Sequence, residues 1–529
     1  MVPADEKPID PPKPPPKRES TARSAALVTA GIFLSRIFGL LRQRVVAHYF
    51  GTSPLADVLA AAFRVGNITQ NLLGEGTLSA SFIPVYAKLR GAAKGREAVH
   101  FALASLGLLI VAVGLVSAVG ILAAPWLTWL IAAGFDEQKL GSTAGIVRIV
   151  FPMTGLLVLS AWALGVLNAH RRFFLPYAAP VVWSLAQIAG LVLAGSWLKL
   201  RGQPLAHALA WSALAGAGLQ LLLLLPAARS LLGSLRPRID TKDPAVGEAA
   251  RRLPAAIAGR GVIQISGLID NLLVSFLGTG AIAVFGYAQT IYLLPMSLLG
   301  TGEAAAALPE MARDTADEDK DRRNAALRSR LGASLARITT LTLPAMAAFG
   351  LLGRELITLF FQGGSFVRSD TARVEPILAA YGLALLGNAS GRVLGTTCFA
   401  LGDTKTPARY ALVRVVVSTA LALALMRPLG VLGVVLGAVT AGWVEAAALA
   451  LRVRSAIGGL GLEQVRIARI VALAGISVGA GLGARAALPA SMTEGLLGSL
   501  AVLVAFGIAF LVAARLLNLF SLRSLTRRA

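Results

Sequence analysis

Ionisable side chains recur inside the long apolar segments of this 529-residue chain. Runs of spanning length follow one another from about residue 24 to residue 518, and about 20 apolar residues in a helix cross the hydrocarbon of a bilayer. A charged side chain in hydrocarbon is unfavourable unless it faces a partner or a wet cavity. The first two runs contain Arg36, Arg42, Arg44, Asp57, Arg64 and Glu75. The pattern therefore predicts a membrane protein that handles a charged ligand.

The second apolar run carries a polar stripe. At about 100° per residue, Asp57, Arg64 and Glu75 differ in direction by about 20° or less on one helix. At about 1.5 Å per residue, the distance from Asp57 to Glu75 is roughly 27 Å, close to the thickness of the hydrocarbon. Asn71 lies about 40° from this stripe. The run predicts one continuous helix with polar groups from one membrane face to the other.

Composition excludes an ordinary soluble globule, since 56% of the residues are hydrophobic and only 15% are charged. The net charge of +23 is typical of some nucleic-acid-binding proteins. Here, however, Lys and Arg cluster in short loops between apolar runs, which is the orientation signature of polytopic membrane proteins. No nucleic-acid partner is expected. Residues 1–20 are rich in Pro, Lys and Glu and are predicted to be a disordered tail.

The runs predict an all-α polytopic protein with about fourteen transmembrane helices. The predicted spans are 24–48, 55–86, 98–122, 142–168, 173–198, 205–228, 249–277, 281–308, 325–350, 374–400, 407–426, 430–452, 467–488 and 493–518. Basic residues concentrate in alternate turns, which places both termini in the cytoplasm. The segment 353–373 is an exception, because it carries Arg354, Arg368 and Arg373 on the predicted outer side.

Two local patterns recur in register. The segment from Phe50-Gly51-Thr52 to Pro84 resembles the segment from Leu277-Gly278-Thr279 to Pro309, and Leu164-Gly165 resembles Leu394-Gly395. Because the offsets are 227 and 230 residues, the first six spans are predicted to be duplicated as spans seven to twelve. Six helices per repeat give two parallel lobes with the ligand site between them. The predicted domains are a tail (1–20), a first lobe (21–230), a basic linker (231–248), a second lobe (249–453), and two additional helices with a basic end (454–529).

Three charged residues in the second predicted lobe are also candidates for the site: Arg260 and Asp270 in the seventh span, and Arg392 in the tenth. Arginine suits a phosphate ligand, since its planar fork holds two oxygens and stays charged when dehydrated. The alternative for each charge is a buried ion pair, such as Asp57 with Arg42 or Arg44, and Arg260 with Asp270. Asp270 is also a candidate ligand for a coupling cation, although the eleventh span offers it no acidic partner.

No soluble-enzyme constellation is present in the sequence. His48, His100, His170 and His207 are scattered, and no phosphate-binding glycine loop precedes a Lys-Ser or Lys-Thr pair. We therefore predict no catalytic residue, metal site or cofactor. The turn at Asp403-Thr404-Lys405-Thr406-Pro407 is expected to cap the eleventh helix.

Several segments resemble the MurJ (MviN) family of bacterial lipid II flippases, within the multidrug/oligosaccharidyl-lipid/polysaccharide exporter superfamily. The matching residues are Ser35-Arg36-Ile37-Phe38-Gly39-Leu40-Leu41-Arg42, Phe50-Gly51, Ala56-Asp57, Ala62-Phe63-Arg64, Asn67, Glu75-Gly76, Ser81-Phe82-Ile83-Pro84-Val85, Leu359-Phe360-Phe361-Gln362-Gly363-Gly364-Ser365-Phe366 and Phe399-Ala400-Leu401-Gly402-Asp403-Thr404-Lys405-Thr406-Pro407. The similarity covers almost the whole chain after the tail.

The resemblance implies translocation of lipid II, a polyprenyl-pyrophosphate-linked peptidoglycan precursor, from the cytoplasmic to the outer leaflet. It implies a cationic cavity that alternates between inward-open and outward-open states. The family's cavity arginines map onto Arg36 and Arg42, its acid of the second span onto Asp57, and its next basic position onto Arg64. Spans thirteen and fourteen would form a groove for the lipid tail. Proteins of cell-wall synthesis and membrane lipid are further candidate partners.

Four positions depart from the family pattern. Gln43 replaces an acid, Gly66 replaces a proline, Gln70-Asn71 replaces a basic residue, and Thr290 stands where an arginine of the eighth span is expected. The last change removes an expected pyrophosphate ligand, for which Arg260 is a candidate substitute.

The sequence thus predicts a flippase without enzymatic activity. Its candidate substrate-binding residues are Arg36, Arg42, Asp57, Arg64, Asn71, Glu75, Arg260 and Arg392. Three alternatives remain open: a flippase for another polyprenyl-linked glycan such as O-antigen or exopolysaccharide, a multidrug/cation antiporter, and a non-transporting scaffold for cell-wall enzymes. An antiporter needs a cavity rich in acids and aromatics, whereas only 6% of this chain is aromatic.

Overall fold

The computed structural model describes residues 18–92, 94–172, 174–297, 302–315, 318–489, 492 and 495–519. Of these, the side chains at 18–30, 32, 75, 258–260, 262–263 and 305–306 lie outside the description. The regular elements of the described backbone are helices, and its extended pairing is limited to one bridge between Gly363 and Phe366. Helices suit a chain in lipid because they satisfy their backbone hydrogen bonds internally.

The described residues of the first half of the chain form nine helices. They are α1 (Arg18–Phe50), α2 (Pro54–Leu73), α3 (Glu75–Gly91), α4 (Gly95–Leu122), α5 (Ala124–Ala132), α6 (Glu137–Ala169), α7 (Phe174–Ala178), α8 (Pro180–Val192) and α9 (Gly202–Leu232). A π-helical turn, Leu193–Trp197, extends α8.

The second half continues with ten described helices. They are α10 (Pro244–Ser275), α11 (Ala281–Pro295), α12 (Gly302–Asp314), α13 (Lys320–Leu351), α14 (Gly353–Phe360), α15 (Arg368–Ala400), α16 (Lys405–Leu429), α17 (Val431–Ile457), α18 (Ile467–Ala487) and α19 (Leu496–Leu516).

Ten of the described helices are long and apolar enough to cross a membrane. The all-α polytopic fold class is therefore confirmed, and the number of about fourteen crossings stays a prediction. One of the ten is formed by α7, α8 and the π-helical turn together. The other four predicted spans coincide with α1, with α2 and α3, with α10, and with α11 and α12. Charges, helix breaks or short lengths distinguish most of these from an uninterrupted apolar helix.

The order of helices recurs along the chain. Helix α2 begins at Pro54 and α11 at Ala281, 227 residues later, and the short helices α5 and α14 begin 229 residues apart, at 124 and 353. Helices α9 and α17, which begin at 202 and 431, keep the same interval of 229. This recurrence supports the predicted duplication, while the predicted domain limits themselves remain a proposal.

The prediction of one continuous helix over 55–86 is wrong, because the chain bends at Gly74. Gly74 adopts φ −88° and ψ −137°, a conformation that glycine accepts easily, and its N–H still bonds the carbonyl of Gln70 at 2.7 Å. The hydroxyl of Thr77 donates to the carbonyl of Leu72 at 2.5 Å across the break. Asp57 and Arg64 thus share helix α2, whereas Glu75 is the first residue of a separate helix, α3.

The described helix ends bear on two predicted segments. Helix α1 begins at Arg18, so residues 18–20 of the predicted tail are helical, and residues 1–17 lie outside the described part of the chain. Helix α9 ends at Leu232 and α10 begins at Pro244, so the non-helical residues between them lie within the predicted linker 231–248. The basic residues at the predicted end of the chain after 519 also lie outside the description.

Hydrogen bonds hold the linker between α9 and α10 against α4. The backbone N–H of Arg238 donates to the carbonyl of Leu103 at 3.1 Å, and His100 Nε2 lies 2.9 Å from the Asp240 carboxylate. The hydrogen bond with His100 holds the pKa of Asp240 below its usual range. At Gly107 a Cβ would collide with the Arg238 backbone, so this glycine permits the close approach.

The two C-terminal helices form a hairpin that packs on the second half of the chain. Helix α18 contacts α13, and α19 contacts α14. Arg485 of α18 anchors the hairpin, since it donates to the Glu355 carboxylate at 2.6 Å and to the Leu351 carbonyl at 2.8 Å. The nearly buried Glu355 is thereby paired.

The turn before α16 behaves as predicted. The Asp403 carboxylate accepts from the Thr406 N–H at 3.0 Å and from the Thr406 hydroxyl at 2.8 Å, and Arg452 donates to it at 3.1 Å. These hydrogen bonds cap the helix. The bond from the Thr406 N–H is the main reason why the pKa of Asp403 lies below its usual value.

The lowered pKa of Asp403 predicts an acid-dependent loss of stability. The native state binds the proton less readily than the unfolded chain, so the stabilisation is present above the unfolded pKa and disappears as the pH falls through the folded one. Thermal unfolding of the purified protein should show a smaller acid-induced decrease for Asp403→Asn than for wild type between about pH 6 and about pH 3. Equal pH profiles would contradict this role for the cap.

Candidate functional site

A cavity of about 490 Å³ lies between α1, α7 and α8 on one side and α11 on the other. Two predicted site residues, Arg36 and Arg42, line it together. They are six residues apart on α1, and Gly39 lies between them without a side chain. The other lining residues are Ser35, Leu40, Gln43, Leu164, Pro176, Tyr177, Pro180, Trp183, Ser184, Thr290, Leu293 and Leu294.

Arg42 is the more firmly held of the two guanidinium groups. Its Cζ lies 4.6 Å from the centre of the Trp183 ring, a distance at which cation and ring attract each other. The ring is fixed in turn, because Trp183 Nε1 donates to the Ala213 carbonyl at 3.0 Å. Arg36, by contrast, is exposed. Arg42 is thus pre-oriented at the wall, and Arg36 stays free to reach a ligand.

The cavity has a positive character. Among the described residues that line it there is no carboxylate, and Gln43 supplies a neutral amide where the resembling family has an acid. Thr290, another departure from that family, lines the opposite wall on α11. A pair of arginines that line one cavity without a carboxylate beside them favours an anionic ligand with several oxygens.

Arg64 lies outside this cavity lining, between α2 and α10. Its guanidinium fills the space that a side chain at Gly267 would need. Asp270 is close enough for its charge to act on Arg64. The structure therefore brings Asp270 together with Arg64; the side chain of Arg260, its predicted alternative partner, is outside the description.

Two arginines are the charged neighbours that act on Asp270. Its charge acts on Arg64 and also on Arg414 of α16, whose Nη1 donates to Glu445 of α17 at 3.0 Å. No group of three His, Cys, Asp or Glu side chains that could hold a metal ion occurs among the residues described. Asp270 as a ligand of a coupling cation remains a prediction, and its arginine neighbours do not favour it.

Arg392 belongs to the same region of the second half. It is exposed on α15, and its charge acts on Tyr292, Arg414 and Glu445. Asn388, one turn earlier, donates to the Tyr292 hydroxyl at 2.8 Å. Asn71 is exposed on α2. The side chains of Glu75 and Arg260 lie outside the described residues, so these two candidates remain predictions.

Asp57 has partners that differ from those predicted. It is fully buried at the predicted outer end of the bundle and accepts from the N–H groups of Gly280 at 2.6 Å and Ala283 at 3.0 Å. Its carboxylate thus caps α11 of the second half, where the helix dipole favours a negative charge. The cation beside it is Lys139 of α6, at 3.5 Å, rather than Arg42 or Arg44. Lys139 also donates to Thr279 at 3.2 Å.

Further bonds join the two halves at this end. Arg373 of α15 donates to the Thr52 hydroxyl at 3.0 Å and to the Thr279 carbonyl at 2.9 Å, and the Thr52 hydroxyl also donates to Asp370. The Tyr287 hydroxyl donates to the Gly51 carbonyl at 2.9 Å. We call this set, with Asp57 and Lys139, the outer seal. It closes the predicted outer end between the halves.

Sequence reasoning missed several residues of this arrangement. Lys139 and Trp183 gave no signal, because each acts on a residue far away in the chain. Arg414 and Glu445 did give one, since both are charges inside predicted spans, and opposite charges in adjacent spans are natural partners. Arg373 was noted only as an outer basic residue.

Comparison with known proteins places this arrangement in a family. The family model described as "Lipid II flippase MurJ" matches residues 46–506. The "Probable lipid II flippase MurJ" of Rhizobium tropici is 35% identical over 422 residues, which is 78% of this chain and 77% of the relative. The "Lipid II flippase MurJ" of Burkholderia cenocepacia is 30% identical over 398 residues, covering 74% and 75% of the two chains.

Solved structures share the fold. A structure described as "Lipid II flippase MurJ, inward closed conformation" superposes with a TM-score of 0.73 at 20% identity, covering 93% of this chain and 99% of that one. An inward-facing multidrug resistance MATE family transporter superposes with a TM-score of 0.68 at 16% identity, covering 84% and 99%. The match of the family model over most of the chain, together with these relatives, shows that this multi-pass membrane protein belongs to the MurJ family of lipid II flippases.

Proposed function

We propose that this protein translocates lipid II from the inner to the outer leaflet of the bacterial cytoplasmic membrane by alternating access of its cationic cavity. The observation that carries the proposal is the placement of Arg36 and Arg42 in one cavity whose opposite wall comes from the other half of the chain. A ligand held there touches both halves, so its binding can favour one relative arrangement of them over another. Membership of the MurJ family supports lipid II as the substrate.

The pyrophosphate of lipid II is the group that the arginines would bind. A guanidinium fork offers paired donors to phosphate oxygens, and removal from water strengthens each contact. We assign Arg36 and Arg42 to direct binding and Arg64 to a position from which it can move towards the ligand. Arg260, Asn71, Glu75 and Arg392 remain candidate contacts for the rest of the substrate.

We assign Asp57 to the outer seal rather than to substrate binding. In the described state its carboxylate, Lys139 and the partners of Arg373 tie the two halves together at one end. With both termini in the cytoplasm, as the loop charges predict, this end faces outward and the cavity is served from the cytoplasmic side. Translocation then requires the outer seal to break while the halves close at the cytoplasmic end. The driving force is the membrane potential or a coupled cation.

The hairpin of α18 and α19 is proposed as the groove for the lipid tail. Its outer surface carries exposed large apolar side chains, among them Leu497, Leu511 and Leu516, which suit contact with acyl or polyprenyl chains. Arg485 ties this hairpin to the second half, so the groove would move with that half during the cycle.

Three rival functions make different predictions. A multidrug/cation antiporter shares the fold, but arginines without nearby acids in the cavity lining would repel a cationic drug. A flippase for another polyprenyl-pyrophosphate glycan would use the same arginines and differ only in the sugars. A scaffold is opposed by the absence of acids among the described residues that line the cavity.

The decisive experiment reconstitutes the purified protein in vesicles that carry fluorescent lipid II in the inner leaflet. Translocation of lipid II, and rescue of a strain depleted of its own lipid II flippase, would support the proposal. Translocation of polyprenyl-pyrophosphate O-antigen units but not of lipid II would favour a flippase for another polyprenyl-linked glycan. Drug efflux in exchange for sodium or protons, with no movement of lipid II, would refute it.

Thr290 offers a test of the anionic site by gain of function. Because Thr290 lines the wall opposite Arg36 and Arg42, Thr290→Arg should add a third guanidinium to the cavity. We expect inorganic pyrophosphate to bind about tenfold more tightly, the effect of one additional charge-assisted contact. Thr290→Gln is the matched control, with a similar length and no charge. Tighter binding by both variants, or by neither, would argue against an anion site in this cavity.

A further inference from the structure

Helix α10 has a notch at Gly267 that is filled by an arginine from the other half of the chain. A Cβ built at Gly267 would collide with Nη2 of Arg64 and lie 3.1 Å from its Cζ. Glycine in the interior of a helix costs stability relative to alanine, by about 1 kcal/mol. Here its lack of a side chain admits the guanidinium of α2 against the backbone of α10.

The guanidinium in this notch is incompletely satisfied. Its Nε is buried and has no hydrogen-bond partner, and no ion pair joins Arg64 to any of the side chains that the structure describes. The countercharge nearest in the helix is Asp270, one turn after Gly267, which acts on Arg64 through space. A charge with unused hydrogen-bonding capacity is held less tightly than one in a closed ion pair.

Asp270 has a second cation in reach. Its charge also acts on Arg414, and Arg414 is bonded to Glu445 at 3.0 Å. Helix α10 packs against α2, α16 and α17, which carry these groups. The four side chains therefore alternate in sign from the first half of the chain into the second: Arg64, Asp270, Arg414 and Glu445.

We propose that Asp270 is an exchangeable counter-ion: it holds Arg64 in the Gly267 notch while the cavity is empty and is taken over by Arg414 when a pyrophosphate group draws Arg64 away. A bare buried carboxylate would oppose the departure of Arg64, because an unpaired buried charge is strongly unfavourable. Arg414 removes that obstacle. Occupancy of the site would thus change the charge contacts of α16 and α17. The inference rests on the proposed function, since it takes pyrophosphate as the ligand.

The proposed exchange predicts that loss of the Asp270 charge strengthens pyrophosphate binding. If Asp270 competes with the ligand for Arg64, Asp270→Asn should bind inorganic pyrophosphate more tightly than wild type, by about tenfold, as expected for one charge contact in a partly buried site. A merely structural role for Asp270 would weaken binding or leave it unchanged. Binding is measured by calorimetry on the full-length protein in detergent at fixed ionic strength.

A pair of glycine variants tests the notch itself. Gly267→Ala places a methyl group where Arg64 lies and should also tighten pyrophosphate binding by releasing the guanidinium. Gly261→Ala adds the same methyl group to the same helix, where a Cβ would meet nothing within 4 Å, and should bind like wild type. Equal affinities of Gly267→Ala, Asp270→Asn and wild type would overturn the proposal.

A measurement without ligand separates this inference from the proposed function. In thermal unfolding, Arg64→Gln and Asp270→Asn should be non-additive, with the double variant losing less stability than the two single variants together. Additive losses would refute the counter-ion. If the cycle is non-additive but wild type binds no pyrophosphate, the counter-ion stands, whereas the exchange step and the proposed anion site both fail.

Discussion

Arg42→Gln is expected to reduce lipid II translocation by at least about a hundredfold. The guanidinium of Arg42 is held at the cavity wall over Trp183 and offers paired donors to a pyrophosphate. Two charge-assisted hydrogen bonds contribute about 1.5 kcal/mol or more each, and about 3 kcal/mol corresponds to roughly a hundredfold in binding. Glutamine keeps a polar group but loses the charge and the fork. Translocation in vesicles at low lipid II concentration measures the effect.

Two companion variants make the result specific. Arg42→Lys retains the charge without the planar fork and should fall between glutamine and wild type. Arg148→Gln removes an exposed arginine of α6 that is not among the residues lining the cavity, and it should translocate normally. Normal translocation by a well-folded Arg42→Gln protein would refute the assignment of the cavity as the substrate site.

Fold class and the cavity arginines could be predicted because both depend on local patterns. Apolar runs of spanning length require helices in lipid, whatever the tertiary arrangement. Arg36 and Arg42 lie in an apolar run that cannot leave charges in hydrocarbon, and the family resemblance of residues 35–42 implied a shared cavity for them. Gly66, Gly74 and Gly76 permit a bend in the second run, but the helix end at Gly74 was not predicted, because glycines in a long apolar run are also compatible with a continuous helix.

The partners of the predicted charges could not be read from the sequence. Asp57 was expected to meet Arg42 or Arg44 because they are near in the chain, but it caps α11 through Gly280, 223 residues away. Backbone N–H groups leave no signal of their own in a sequence, and any helix start is an equally good candidate for a buried carboxylate. The same holds for Arg64, whose place depends on the lack of a side chain at Gly267.

The outer seal yields the second large effect, because Asp57 is fully buried and its bonds cross between the halves. In Asp57→Asn the amide can accept from only one of the two N–H groups of α11, and Lys139 loses its countercharge. Breaking a buried ion pair by removing one partner costs about 3–5 kcal/mol. We therefore expect the variant to lose rescue of a flippase-depleted strain and to open at the outer end.

Opening is measured by labelling from outside with a membrane-impermeant maleimide. A cysteine at Ile282, which is 2% exposed, reports on the seal in a background with Cys398→Ala. We expect little labelling in the parent protein and rapid labelling when Asp57→Asn is added.

Asp136→Asn is the matched control for this experiment. Asp136 also caps a helix at this end, through the Lys139 N–H at 2.8 Å, but its carboxylate contacts only the first half of the chain. Its loss removes the same charge and a backbone cap at Lys139 but none of the bonds between the two halves, so labelling of the cysteine at Ile282 should stay slow. Adding Lys139→Met to Asp57→Asn removes the unpaired cation but does not restore the cap, and should recover part of the stability. Equal labelling in the two asparagine variants would show that the halves are held together at this end by something other than Asp57.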